Sequence, residues 1–115
     1  SDAGVKVNNG AHGQLEGLGV HWEMWMFVQG GMSPLEALKA STINGAEYLG
    51  MGKYLGSIQE GKLADLVILT KNPLNDIQNS DSVEMVLLYG ILYEATSMYE
   101  IVTGSAKRLP HWWEK

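Results

Sequence analysis

The chain has 115 residues and a formal net charge of −5, with 45% hydrophobic and 18% charged residues. A chain of this length has room for a single domain, and its composition is unlike that of a disordered or a bilayer-spanning protein. The acidic charge argues against nucleic acid and anionic membrane surfaces as partners, because both are bound through clustered Lys and Arg.

Cysteine is absent from the sequence. This excludes disulfide bonds, thiolate nucleophiles and thiolate zinc sites, but it does not separate a cytosolic from an extracytoplasmic location. The opening stretch, SDAGVKVNNG, is polar rather than a signal sequence and has no initiating Met. We therefore expect the chain to be a piece of a longer protein whose compartment the sequence leaves open.

Residues 1–19 are rich in Gly and Asn and show little periodicity, which predicts a loop whose backbone can approach a ligand closely. The loop contains one Asp, Asp2, and one His, His12. On the residues alone, each of these side chains is more typical of a solvated loop than of a site. Their roles stay open at this point.

Residues 20–29 form a dense apolar and aromatic run that predicts a helix ending at a Gly-Gly pair. A helix that is apolar over so much of its surface needs cover on more than one face. We expect Trp22, Trp25 and the methionines to pack against neighbouring elements rather than to form a ligand site. His21 is expected to be a packed or partly exposed residue rather than a ligand.

The sequence SPLEALKA predicts the start of a second helix. Ser33 can cap the first turn, Pro34 stands where its missing N–H costs nothing, and Glu36 lies three residues after the cap. Ser41 and Thr42 then offer a break and a new cap, and glycines from Gly50 onward stop the following helix.

The second half of the chain changes from helical to strand patterns. LADLVILT is a continuous apolar run of strand length, and VEMVLLYGILYEA predicts two strands about a turn at Tyr89-Gly90. Residues 75–82 are predicted to form a polar loop or one helical turn, and residues 98–104 a short helical stretch. The tail that carries Pro110, Trp112 and Trp113 has no recognisable motif, and we expect it to cover an apolar face.

The order SPLEALKASTINGAEYLG, then LGSIQEGKLADLVIL, then NPL resembles the C-terminal region of the metal-dependent amidohydrolase superfamily, which has dihydroorotase-like, imidazolonepropionase-like and prolidase-like members. The resemblance covers residues 1–95 and is structural, since none of these residues carries chemistry. It implies an α+β piece: the C-terminal helices of an incomplete (β/α)8 barrel plus a few strands of a flanking composite β-sandwich. Residues 1–50 would belong to the barrel end, 51–97 to the sandwich and 98–115 to a C-terminal helix or tail.

The resemblance also implies roles for loop residues. Asp2 falls on the family's Asp at the barrel rim, which binds or faces a divalent metal, with zinc as the first candidate, and acts as general base on the metal-bound water. A Lewis-acidic metal lowers the pKa of its water, and a carboxylate within reach takes the proton. Gly4 and His12 would border the pocket for a small-molecule substrate. The parent reaction would be hydrolysis of a C–N bond of amide, cyclic amide or dipeptide type.

Other residues that such a site needs are missing from the sequence. A full barrel takes roughly 250 residues, and the three His residues show no His-x-His spacing. We therefore expect this piece alone to bind no metal and to be inactive, with the remainder of the parent chain as its partner. The alternative is a non-catalytic module that forms homo-oligomers through exposed strand edges on LADLVIL and EMVLLYG.

Overall fold

The structure of the chain, a computed structural model, describes residues 3–10 and 17–104. Three α-helices, α1 (Gly19–Gln29), α2 (Pro34–Ala40) and α3 (Ile43–Tyr48), precede a small sheet. The sheet consists of β1 (Leu66–Leu69), β2 (Val83–Leu88) and β3 (Ile91–Glu94), with a 3-10 helix at Ile77–Asp81 between the first two strands. The predicted α+β composition is confirmed. Among the predictions that fall outside the described residues are those for Asp2, His12 and the aromatic tail.

Glycine closes the C-terminal ends of α1 and α3. After α1, Gly31 takes a φ of +110° and its N–H donates to the Val28 carbonyl at 3.0 Å, while Met32 donates to Phe27. After α3, Gly50 takes a φ of +75° in the same arrangement. A residue with positive φ at this position closes the last turn and satisfies its free carbonyls. The predicted helix ends are therefore confirmed.

The start of α2 carries the predicted capping box. The Ser33 hydroxyl accepts from the Glu36 N–H at 3.3 Å, and the Ser33 N–H donates to the Glu36 carboxylate at 2.9 Å. The donation from the Ser33 N–H is the largest of several effects that lower the pKa of Glu36 to about 2. Thr42 does not cap α3 as expected, because its hydroxyl donates to the Leu38 carbonyl instead.

The sheet is antiparallel throughout, in the order β1-β2-β3. The predicted hairpin turn is confirmed, with φ of +55° at Tyr89 and +79° at Gly90. The Asp65 carboxylate accepts from the Tyr89 N–H at 2.8 Å, so the residue before β1 also holds the turn. β2 is the central strand, so the expectation of an open edge on EMVLLYG is wrong.

Residues 98–104 are not helical. Met98 has a φ of +60°, the chain reverses there, and Tyr93 and Glu100 form an antiparallel bridge. Two β-branched residues, Ile101 and Val102, follow, and such side chains favour extended backbone over helix. The expected short helix is therefore replaced by a chain segment that runs beside β3.

The buried core lies between helices. Met24 of α1, Ala37 of α2 and Ile77 of the 3-10 helix form it, with Trp25, Phe27, Val28 and Leu38 packed around them. No helix within the described ranges has both the length and the apolar character that crossing a bilayer requires.

The sheet carries apolar side chains on both of its faces. Residues that lie opposite each other in neighbouring strands share a face, and two such rows are Leu66, Leu87 and Leu92 on one face, and Val67, Val86 and Tyr93 on the other. Val67 is 60% exposed. The sheet therefore leaves apolar surface in solvent that the helices do not cover.

Candidate functional site

The candidate site lies around the N-terminal segment, which we define as residues 4–10. Gly4 is the one predicted site residue that lies in the described ranges, and it is exposed, with a φ of +72° and open space beside its Cα. Asp2 lies two positions before the N-terminal segment and His12 two positions after it. The structure therefore describes residues 3–10 of the stretch between these two residues.

The N-terminal segment lies along α2 and α3 without regular secondary structure. Its backbone is held by the Asn9 N–H, which donates to the Ala40 carbonyl at 2.9 Å, and by the Asn44 side-chain amide, which donates to the Val7 carbonyl at 3.3 Å. Lys6 and Glu47 form an ion pair. The C-terminal end of α2 therefore binds Asn9, and α3 binds Lys6 and Val7.

Asn9 connects the N-terminal segment to a third helix. Its side-chain amide donates to the Val20 carbonyl at 3.0 Å and to the Ser41 hydroxyl at 2.9 Å, and the neighbouring Gly10 N–H donates to the Glu23 carboxylate at 3.0 Å. Asn9 therefore joins the first turn of α1 to the end of α2. Sequence reasoning missed this residue, because an Asn in a Gly-rich loop gives no signal that distinguishes it from a turn residue.

A groove of about 180 Å³ lies between the N-terminal segment and α2, and Gly4, Met32 and Lys39 are among its lining residues. Ligand pockets usually have volumes of roughly 300 Å³ or more. This groove is therefore smaller than a usual substrate pocket.

A buried Ser–His pair lies elsewhere, between α1 and the 3-10 helix. Ser80 is 4% exposed, and its hydroxyl lies 2.9 Å from both His21 Nδ1 and Trp25 Nε1. Because the indole N–H can only donate, the hydroxyl accepts from Trp25 and is free to donate to His21. The serine is buried and serves as a connection between two helices, so we assign it no nucleophilic role. His21 is packed, as the sequence predicted.

Residues 3–92 match the family model described as the amidohydrolase family. The chain belongs to this family. The match covers most of the chain and begins at the residue after Asp2, and it confirms the predicted resemblance.

Named relatives match shorter stretches of the chain. A 5'-deoxyadenosine deaminase of Methanobrevibacter smithii is 41% identical over 54 residues, which are 47% of this chain and 12% of the relative. An imidazolonepropionase of Thermoplasma volcanium is 48% identical over 46 residues, which are 40% of this chain and 11% of the relative. The matched parts are thus about a tenth of the curated relatives.

Solved structures extend the comparison to the fold. A Xaa-Pro dipeptidase with methionine bound in its active site superposes with a TM-score of 0.74 at 35% identity, over 81% of this chain and 23% of that chain. Most of this chain thus has a structural counterpart in that dipeptidase.

The amidohydrolase family is generally metal-dependent, and a metal site needs several ligating side chains close together. In the described parts of the chain, no three His, Asp or Glu side chains lie close enough together to hold a metal ion. These residues therefore do not form a metal site by themselves, and we derive no catalytic step through a metal from them.

Proposed function

We propose that this chain is the C-terminal part of a metal-dependent hydrolase that cleaves C–N bonds of amide, cyclic amide or dipeptide type. The superposition with the Xaa-Pro dipeptidase carries this proposal, because most of this chain matches less than a quarter of that enzyme. In the same proposal the metal is divalent, with zinc as the first candidate, and the substrate is a small molecule.

The arrangement of the described residues supports the assignment of the chain to two structural parts of such a hydrolase. Residues 1–50, with α1 to α3, would close an incomplete (β/α)8 barrel, and residues 51–97, with the sheet, would belong to a composite β-sandwich. Residues 98–115 would follow as a tail. The apolar rows on both faces of the sheet favour this division, because such a sheet needs cover on each side.

Asp2 is the proposed catalytic and metal-facing carboxylate. What supports it is the position of the N-terminal segment, which begins just after Asp2 and is held to all three helices by Asn9, Asn44 and Lys6. Gly4 supplies a left-handed backbone conformation two positions after Asp2, a conformation that few other residues adopt without strain. Gly4 and His12 would border the substrate.

One carboxylate does not hold a hydrolytic metal, since catalytic zinc takes three protein ligands. The further ligands would come from the remainder of the parent chain. The 115-residue piece by itself would then bind no metal and hydrolyse nothing.

The test compares the 115-residue chain with the same chain preceded by the residues that its gene encodes upstream. We expect the longer protein, loaded with zinc, to hydrolyse members of a panel of dipeptides and cyclic amides, and the short chain to hydrolyse none. Asp2→Asn in the longer protein should lower kcat by a factor of about 100 or more, the scale of a lost general base. Asp81→Asn, a carboxylate on the 3-10 helix, is the matched control and should change little. Hydrolysis by the short chain, or equal effects of both substitutions, would overturn the proposal.

A second candidate function is that of a non-catalytic module that self-associates. It is favoured by the outer edge of β1, which pairs with no strand among the described residues. Sedimentation of the 115-residue chain distinguishes the two functions. A monomer at all concentrations counts against the module, and a stable oligomer without any hydrolytic activity in the longer protein favours it.

A further inference from the structure

The segment that follows β3 forms hydrogen bonds with that strand. We call residues 95–103 the edge segment. The Glu94 N–H donates to the Tyr99 carbonyl at 3.0 Å, the Ile101 N–H donates to the Leu92 carbonyl at 2.9 Å, and Tyr93 and Glu100 form an antiparallel bridge. The Glu94 N–H and the Leu92 carbonyl, which point away from β2, therefore already have partners.

The turn that brings the edge segment back is fixed by several bonds. Met98 takes a φ of +60°, which is uncommon for a residue with a side chain, and its N–H donates to the Glu94 carbonyl at 2.8 Å. The Ser97 hydroxyl donates to the Glu94 carboxylate and accepts from the Tyr99 N–H at 3.2 Å. A strained residue held in this way marks a turn that its surroundings determine.

The edge segment contains a buried ionisable side chain. Glu100 is 5% exposed, and its carboxylate accepts from the Thr103 N–H at 2.8 Å and from the Thr103 hydroxyl. Natural sheets protect their edges with very short strands and with charges that point inward, because both features discourage a further strand from pairing. The edge segment has both features.

We propose that the edge segment closes the β3 side of the sheet against strand addition, so that strands add at the outer edge of β1. The family match ends at residue 92, so this function belongs to a part of the chain that the family model does not describe. The proposal does not depend on Asp2 or on catalysis.

The consequence concerns the size of any assembly. A sheet with one open edge takes one strand or pairs with one second copy, and the assembly then has no edge left. A sheet with two open edges can continue to pair without limit. The edge segment thus converts open-ended strand pairing into a closed assembly of at most two copies.

The experiment uses the 115-residue chain and the variant Ile101→Pro, which removes the N–H that donates to Leu92. Val102→Pro is the matched control, since the structure shows no backbone hydrogen bond from the Val102 N–H to a described residue. Amide hydrogen exchange at Glu94 and sedimentation velocity at increasing concentration are measured for all three proteins. Exchange at Gly90, whose N–H donates to Ala64 at 3.0 Å, shows whether the sheet is intact.

We expect the parent chain and Val102→Pro to stay at two copies or fewer with a protected Glu94 amide. Ile101→Pro should raise Glu94 exchange at least tenfold and form species larger than dimers that grow with concentration. Unchanged exchange and size in Ile101→Pro would overturn the proposal, as would parent-chain species larger than dimers. If the Gly90 amide of Ile101→Pro is no longer protected, the sheet of that variant is not intact. The variant Thr103→Val then tests the proposal instead. This variant removes one donor to Glu100 and should shift exchange and size in the same direction by a smaller factor, and no shift would overturn the proposal.

Discussion

The helices and the strands of this chain bury their apolar side chains to very different extents. Every buried apolar residue among those described lies on an α-helix or on the 3-10 helix, while no residue of β1, β2 or β3 is buried. The helices therefore form a small core by themselves, whereas the sheet has apolar residues without cover. The two parts thus differ in how their side chains are packed: the helices pack on one another, whereas every residue of the three strands stays at least partly exposed.

The largest expected effect comes from the helical core. Ile77→Ala removes a side chain that is 6% exposed and leaves a cavity, so we expect it to lower the free energy of unfolding by about 2–5 kcal/mol. Val67→Ala, on the exposed face of β1, should cost less than about 1 kcal/mol in the same chain. Urea unfolding measures both, and equal losses would contradict the comparison.

Val67 also provides a way to sharpen the comparison. In the longer protein we expect further strands to cover β1, and the cost of Val67→Ala should then rise to about 1–3 kcal/mol. The cost of Ile77→Ala should stay as it is in the 115-residue chain. If Val67→Ala remains without effect in the longer protein, the sheet is not covered there.

The next largest effect lies where the loop before β1 crosses α3. A Cβ on Gly56 would lie 2.7 Å from the Ala46 Cβ and 3.0 Å from the Ile43 Cα, and Gly56 has a φ of +94°. Gly56→Ala should therefore lower the free energy of unfolding by roughly 2–4 kcal/mol, from overpacking and backbone strain together. Gly61→Ala is the control, because Gly61 has a φ of +88° but open space around it, and it should cost only the strain, about 1 kcal/mol. Equal costs would show that the crossing is not tightly packed.

A smaller effect is expected at the hydroxyl that connects α1 to the 3-10 helix. Ser80→Ala leaves the Trp25 N–H and His21 Nδ1 without their buried partner and should cost about 1–3 kcal/mol, with a changed Trp fluorescence spectrum. Ser57→Ala removes a hydroxyl that accepts from Lys62 on the surface and should cost less than about 0.5 kcal/mol. If Ser80→Ala is as stable as Ser57→Ala, the Ser80 hydroxyl does not stabilise the contact between α1 and the 3-10 helix.

The smallest effect concerns the cap of α2. Ser33→Ala removes the hydroxyl that accepts from the first turn and should cost about 1 kcal/mol. Ser57→Ala again provides the comparison. A cost no larger than that of Ser57→Ala would show that the cap contributes nothing measurable.

The cap also predicts a pH dependence. The pKa of Glu36 is lowered in the folded chain to about 2 from 4.5. A lowered pKa stabilises the fold at pH values above 4.5, and this contribution falls as the pH drops from about 4.5 towards 2. The loss should be smaller in Ser33→Ala and in high salt, since Glu36 is exposed to solvent. A pH profile that is identical in the two proteins would contradict this assignment.

The sequence predicted most of the features that depend on neighbouring residues, although the expected Thr42 cap of α3 is wrong. The capping box at Ser33, the glycine that ends α3 and the turn at Tyr89-Gly90 each need only residues within a few positions, and all three are confirmed. Features that depend on distant residues were missed or wrong. Asn9 binds partners 11 and 32 positions away, and Ser80 binds His21 from 59 positions away.

The wrong predictions for EMVLLYG and for residues 98–104 have the same physical origin. Strand order depends on which distant strands pair, so EMVLLYG was expected at an edge although β2 is central. The helix expected at 98–104 was predicted from a local pattern, but the turn at Met98 and the pairing with β3 determine that segment. For the candidate site, the predicted roles of Asp2, Gly4 and His12 stay predictions, and the structure contributes the N-terminal segment that joins them.

The most direct test of the central claim is the zinc content of the 115-residue chain and of the longer protein after equilibrium dialysis. We predict that the short chain retains no stoichiometric zinc, that the longer protein retains it, and that Asp2→Asn in the longer protein weakens its binding while Asp81→Asn does not. Stoichiometric zinc bound tightly by the short chain, or zinc in the longer protein that is indifferent to Asp2→Asn, would contradict the account.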